Sequence, residues 1–227
     1  MKYSKQLFFL ALLFAFCIGS YAQDRVAQID SLFAPVTGKP AFNGNVLIAE
    51  KGNIIYQKSF GKADLEKNLP LNSESVFELA SVSKQFTAMG IMILKKQNKL
   101  SYDDSLRKFF PELPYHNITV LQLLQHTSGL PDYMPLFNEH WDSTKIAVNS
   151  DIIKLLSQYK PDTLFAPGAK WEYSNTGYAL LASIIEKVSG KKFGEFLRKN
   201  IFEPLGMKRT QVYCRRYENR KIDNYAY

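Results

Sequence analysis

Cysteine and histidine are scarce in this 227-residue sequence: there are two cysteines, Cys17 and Cys214, and three histidines, His116, His126 and His140. They are too few and too scattered for metal-ligand spacing or a disulfide framework. There is no glycine-rich phosphate loop and no dinucleotide fingerprint, so neither metal nor cofactor is expected. There are no internal repeats and no low-complexity tract. Only one apolar run stands out, Leu7 to Ile18. It is shorter than the roughly 20 residues a bilayer span needs. Acidic residues (21) are outnumbered by Lys and Arg (29), giving a formal net charge of +8. The basic residues are scattered apart from Arg215, Arg216, Arg220 and Lys221. Without a recognition motif this reads as a solvated surface, and nucleic-acid binding is not expected.

Hydrophobic residues make up 46% of the chain and charged residues 22%, which favours a folded domain with a core over disorder. At the N-terminus, Lys2 and Lys5 precede the apolar run, and Ser20-Tyr21-Ala22 offers small residues at the two positions a signal peptidase reads. Residues 1–22 therefore read as a signal peptide cleaved before Gln23, leaving 23–227 as a secreted or periplasmic domain with no membrane span. Phe16 is too bulky to precede a lipoprotein acceptor at Cys17. Cleavage removes Cys17, so Cys214 has no internal partner and reads as a small, partly buried side chain.

Periodicity predicts a first helix over Val26–Phe33, then strands Asn45–Ala49 and Ile54–Lys58 joined by Lys51-Gly52-Asn53, where Gly and Asn supply the positive φ of a hairpin turn. The strongest helix is expected over Ser81–Lys96, with Phe86, Met89, Ile93 and Leu94 on its apolar side. Further helices are expected over Thr119–Gln125, capped by Thr119, and over Ser150–Gln158. Pro167-Gly168 marks a turn. Asn175–Val188 reads as a helix with Tyr178, Leu181, Ile184, Ile185 and Val188 in register, stopped by Gly190. Lys192–Ile201 is the last helix expected.

Two residue patterns carry chemistry. A serine attacks a carbonyl when a nearby base takes its proton, and a lysine one helical turn later lies on the same face to do so. The pattern S-x-x-K occurs five times, from Ser59, Ser81, Ser105, Ser157 and Ser189. Ser59 lies in or beside a strand, Ser105 and Ser157 in polar surface helices, and Ser189 at a helix end. Ser81 alone opens a long apolar helix, whose N-terminal N–H groups suit a developing oxyanion. The second pattern, Tyr-x-Asn, joins a phenol that relays a proton to an amide that holds substrate. It occurs at Tyr115, Tyr173 and Tyr217. Only Tyr173-Ser174-Asn175 falls between a Pro-Gly turn and a helix.

Four segments resemble the β-lactamase-related serine hydrolases, a family that includes class C β-lactamases, penicillin-binding proteins and D-Ala-D-Ala carboxypeptidases. They are Glu78-Leu-Ala-Ser81-Val-Ser-Lys84-Gln-Phe-Thr87, Leu123-Leu-Gln-His126-Thr-Ser-Gly-Leu130, Pro167-Gly168 through Trp171, Tyr173, Ser174, Asn175 and Tyr178, and Pro204-Leu-Gly-Met207 with Thr210. They stand in the family's order and span about residues 25 to 215. The resemblance implies that Ser81 is acylated, that Lys84 accepts its proton, and that Tyr173 and Asn175 line the site. His126, within a matching segment, reads as a structural loop histidine satisfied by hydrogen bonds.

The implied fold is α/β (α+β), β-lactamase/transpeptidase-like: an antiparallel sheet flanked by helices, plus a helical region over about 85–170, with the site in the crevice between the two. The family's third motif, His or Lys, any residue, then Gly on a late strand, is matched after Asn175 only by Lys192-Phe193-Gly194, within a predicted helix. On that comparison the chain is expected to be C-terminally truncated, to lack the last strands of the sheet, to associate through uncovered apolar faces, and to be impaired as a catalyst. The expected activity is an exported serine hydrolase acting through an acyl-enzyme on a β-lactam, D-alanyl peptide or small ester. The alternative is a non-catalytic secreted protein that binds wall peptide or a partner. Oligomeric state is left open.

Overall fold

A computed structural model of the protein describes residues 25–33, 42–213, 222 and 225–226. The expected signal peptide, Cys214 and the basic cluster near the C-terminus lie outside these residues. The chain divides into two compact units, one of residues 1–78 with 221–227 and one of residues 79–220.

In the first unit, helix α1 (25–32) is followed by strands β1 (Gly44–Glu50) and β2 (Asn53–Phe60), which pair antiparallel from Gly44 opposite Phe60 to Glu50 opposite Asn53. The turn differs from expectation. Lys51 and Gly52 take positive φ, at 50° and 81°, while Asn53 already belongs to β2. A two-residue loop closing a Glu50–Asn53 pair needs positive φ at both central residues, and that register assigns them to Lys and Gly. Asp30 on α1 accepts from the Tyr56 hydroxyl and, at 2.9 Å, from Lys58 Nζ, which ties the helix to β2. Phe33, Phe42 and Phe60 gather beside it, with ring centroids 5.2–6.1 Å apart. A second small hairpin, β3 (Lys62–Asp64) with β4 (Leu69–Pro70), was not anticipated, because two or three residues show no periodicity.

The second unit is helical: α2 (Lys84–Lys96), α3 (Leu106–Phe109), α4 (Val120–Leu124), α5 (Met134–His140), α6 (Asn149–Tyr159), α7 (Asn175–Ser189) and α8 (Phe193–Leu197), which runs into a π-helical turn (Arg198–Phe202). Short α3 and α5 were also unanticipated. Ser105 is the N-cap of α3, its Oγ accepting from Arg107 N, rather than a residue within a helix. Thr119 and Gln122 cap α4 reciprocally: Gln122 N donates to Thr119 Oγ1 and Thr119 N to Gln122 Oε1. Gly190, at φ 67°, closes α7 as expected.

The core is built on α7, where Leu180, Leu181, Ile184 and Ile185 are fully buried, and on Ile91 and Leu94 of α2. Fully burying each such side chain contributes about 1.5–3 kcal/mol. The buried stripe of α2 is Thr87, Gly90, Ile91 and Leu94. Met89, expected on the apolar side, is instead exposed, because the small Gly90 faces α7 and lets the helices approach. A methyl group on Gly90 would come within 2.7 Å of Ile185 Cδ1.

Candidate active site

Ser81 does not open α2. It sits in a 3₁₀ turn (Ala80–Ser83), and the α-helix begins at Lys84. Ala80 enters the turn at φ 45°, a left-handed conformation unusual for a residue with a side chain. In 3₁₀ winding, residues i and i+3 eclipse one another, so Lys84 lies directly over Ser81. Lys84 Nζ donates to Ser81 Oγ at 3.2 Å.

The other four S-x-x-K serines have different settings. Ser59 lies in β2 and Ser189 ends α7. Lys108, three residues after Ser105, pairs with Asp104 at 2.8 Å. Lys160, three residues after Ser157, has left the helix at φ 48°.

Tyr173 and Asn175 arrive from far along the sequence. Ser174 caps α7, its Oγ accepting from Gly177 N at 3.0 Å, and Asn175 is the first residue of the helix. The Tyr173 hydroxyl donates to Ser81 Oγ at 2.6 Å. Asn175 Oδ1 accepts from Lys84 Nζ at 3.0 Å. The four residues singled out in the sequence thus form one hydrogen-bonded cluster, wholly within the second unit. Lys84 Nζ also lies 4.7 Å from the Tyr173 ring centroid and 5.7 Å from that of Tyr178. The hydrogen bond with Lys84 is the main influence holding the Tyr173 phenol below its ordinary value of 10, with the Ser81 contact acting the same way. Tyr173 is 43% exposed, so the cluster opens to solvent.

The segment His126–Gly129 clamps this corner. His126 O accepts from Glu172 N, Thr127 O from Gly168 N, and Gly129 O from Leu164 N, each at 2.8 Å. Gly129 has φ 72°, and a Cβ there would fall 2.3 Å from Phe165 O. His126 Nδ1 accepts the Ser174 amide proton at 3.0 Å. Sequence reasoning missed Asp132: it lies just beyond the matched segment, in Leu130-Pro131-Asp132, where proximity in sequence was the only signal. Its carboxylate accepts from Met134 N at 2.8 Å and reaches Asn175 Nδ2 at 3.5 Å, the outer limit of a hydrogen bond. Lys192-Phe193-Gly194 lies at the start of α8 and is not a strand. Among the described residues, no three His, Cys, Asp or Glu side chains gather as a metal site.

The chain as a whole is similar to known proteins. A family model described as Beta-lactamase covers residues 29–224. Penicillin-binding protein 4* of Bacillus subtilis (strain 168) is 48% identical over 205 residues, spanning 90% of this chain and 46% of that protein. The crystal structure of a penicillin-binding protein from Bacillus halodurans superposes with a TM-score of 0.71 at 29% identity, covering 81% of this chain and 56% of that one. D-amino acid amidase from Ochrobactrum anthropi SV3, in complex with L-phenylalanine, gives a TM-score of 0.64 at 34% identity, covering 80% and 48%. The fold is that of the β-lactamase/transpeptidase class. The chain belongs to the β-lactamase family. It spans less than half the length of the curated relatives it matches.

Proposed function

We propose that the chain is the nucleophile-bearing part of an exported serine hydrolase that works through an acyl-enzyme. The single observation that carries this reading is the convergence of Lys84 Nζ and the Tyr173 hydroxyl on Ser81 Oγ, at 3.2 and 2.6 Å. Ser81 Oγ attacks a carbonyl carbon while its proton passes to Lys84 in its neutral form. Tyr173, touching both groups, relays a proton to the departing amine or alcohol. Water then breaks the acyl–oxygen bond and returns the proton to Ser81. Asn175, anchored by Lys84, offers its Nδ2 side to a substrate carbonyl.

The substrate class proposed is an amide or ester: a β-lactam, a D-alanyl peptide or a small ester. Relatives named as penicillin-binding proteins and as a D-amino acid amidase support the first two. The signal-like residues 1–22 support a secreted or periplasmic location. Turnover by this chain is proposed to be slow, because Lys192-Phe193-Gly194 is helical and offers no strand amide to an oxyanion. Losing one oxyanion donor typically costs about 10²–10³ in rate.

The test is hydrolysis of a D-aminoacyl amide, a penicillin and a short p-nitrophenyl ester by the purified protein and by Ser81→Ala. Slow turnover of at least one substrate, absent from the variant, is expected. Equal turnover by the variant, or no reaction with any substrate, refutes the reading.

A further inference from the structure

His126 is placed more tightly than a loop filler requires. Its backbone sits at φ 60°, a region that glycine enters freely and that few other residues enter, histidine, asparagine and aspartate most often among them. Its ring centroid lies 4.8 Å from that of Tyr173 and 4.9 Å from that of Tyr178, tilted by 31° and 32°, with Trp171 edge-on at 6.0 Å. Its Nδ1 receives the amide proton of Ser174, the residue between Tyr173 and Asn175. A nitrogen that accepts there carries no proton of its own, which assigns the ring proton to Nε2.

We propose that His126 is a positioning residue for the acyl-transfer reaction: as a neutral imidazole it fixes the Ser174 amide through Nδ1 and backs the Tyr173 ring, and its protonation undoes both. The inference rests on the acyl-enzyme reading for its functional consequence, but the contact is observable without catalysis. Fixing Ser174 N and capping α7 with Ser174 Oγ together set the directions in which Tyr173 and Asn175 leave the chain. A proton on Nδ1 removes the acceptor and turns the ring nitrogen toward an N–H that also donates.

The titratable groups that face the ring are Lys84 from α2, Tyr173 from the segment before α7, and Tyr178 from α7. Burial first, and Lys84 second, hold the imidazole below its ordinary 6.5. The unfolded chain therefore takes up this proton before the folded one does. Stability fully present above about pH 6.5 is lost as pH falls toward the folded-state value.

The test pairs two readouts on the purified protein with His126→Asn and His126→Leu. Asparagine places a neutral acceptor at the same δ position and tolerates the backbone, whereas leucine supplies no acceptor. In the first readout, the rate of Ser81 labelling by a fluorophosphonate is followed by mass against pH. His126→Leu is expected to label about 10²-fold more slowly, the scale of a small misplacement of reacting groups, and His126→Asn to recover most of that loss. Below pH 6.5 the wild-type rate should fall with one more proton than that of His126→Asn. In the second, NMR should show the His126 ring titrating below 6.5, with the Ser174 amide and Tyr173 ring signals moving in step.

Equal rates and slopes for wild type and both variants overturn the inference, as does a His126 titration that leaves Ser174 and Tyr173 unmoved. If leucine prevents folding, the asparagine slope and the NMR titration still decide. If wild-type Ser81 does not label at all, the acyl-enzyme reading fails, and the NMR titration alone upholds or overturns the positioning contact.

Discussion

Ser81 Oγ has an amine and a phenol as its polar neighbours, and the two are not interchangeable. Lys84 touches Ser81 and Asn175, so removing it frees the asparagine as well as the serine. Removing the Tyr173 hydroxyl breaks the short bond to Ser81 and the contact with Lys84, but leaves Lys84 bound to Ser81 and Asn175. Tyr173→Phe keeps the ring that packs, tilted, against His126 and faces Lys84. With Tyr173 substantially exposed and its ring retained, the folded state should be unaffected. Acylation of Ser81 should fall by about 10²–10⁴, the usual contribution of one proton-transfer group. Stopped-flow labelling, with thermal melting as the control, checks this. A rate within a few-fold of wild type would remove Tyr173 from the proton path.

At the scale of elements, the site depends on one clamp. The segment 126–129 binds the segment 164–172 by three backbone hydrogen bonds, and the second segment runs directly into Tyr173 and Asn175. Gly129 is the position with least freedom: it combines a left-handed φ with a 2.3 Å approach to a backbone oxygen. Gly129→Ala should destabilise the protein by at least about 2 kcal/mol, the order of a strained residue compounded by a clash. Denaturant unfolding measures this, and a change below about 0.5 kcal/mol would show that the clamp yields freely.

The same elements show what could be read in advance. Long amphipathic helices such as α6 and α7 were legible because their apolar period runs for three or four turns and Gly190 punctuates the end of α7. Thr119 was legible as a cap because its partner lies three residues on. The start of α2 was not: a 3₁₀ turn and an α-helical turn differ by about 0.6 residue per turn, which no side-chain pattern encodes, yet that difference sets Lys84 over Ser81. Met89 is exposed where periodicity puts it on the apolar side, because a lone glycine, Gly90, carries no apolar signal in the sequence yet is the residue α2 turns toward Ile185 of α7. Motif context singles out Ser81, Lys84, Tyr173 and Asn175, and the structure brings them together in one hydrogen-bonded cluster. Asp132 was not legible, since a lone carboxylate beside a turn has no signature.

At the scale of the whole molecule, the nucleophile, the lysine, the tyrosine and the asparagine all come from residues 79–220, although the chain spans less than half the length of its curated relatives. The hydrogen-bonded cluster is therefore a property of this helical unit and should be testable in the chain as it stands. The most direct measurement is intact mass after exposure to a fluorophosphonate. Ser81 Oγ would bond to phosphorus, fluoride would leave, and the hydroxyl proton would pass to the Lys84 side of the cluster. The account predicts a single adduct on wild type, mapped to Ser81 by peptide analysis and absent from Ser81→Ala. No adduct, or one that persists in Ser81→Ala, would contradict it and leave Ser81 without the role assigned here.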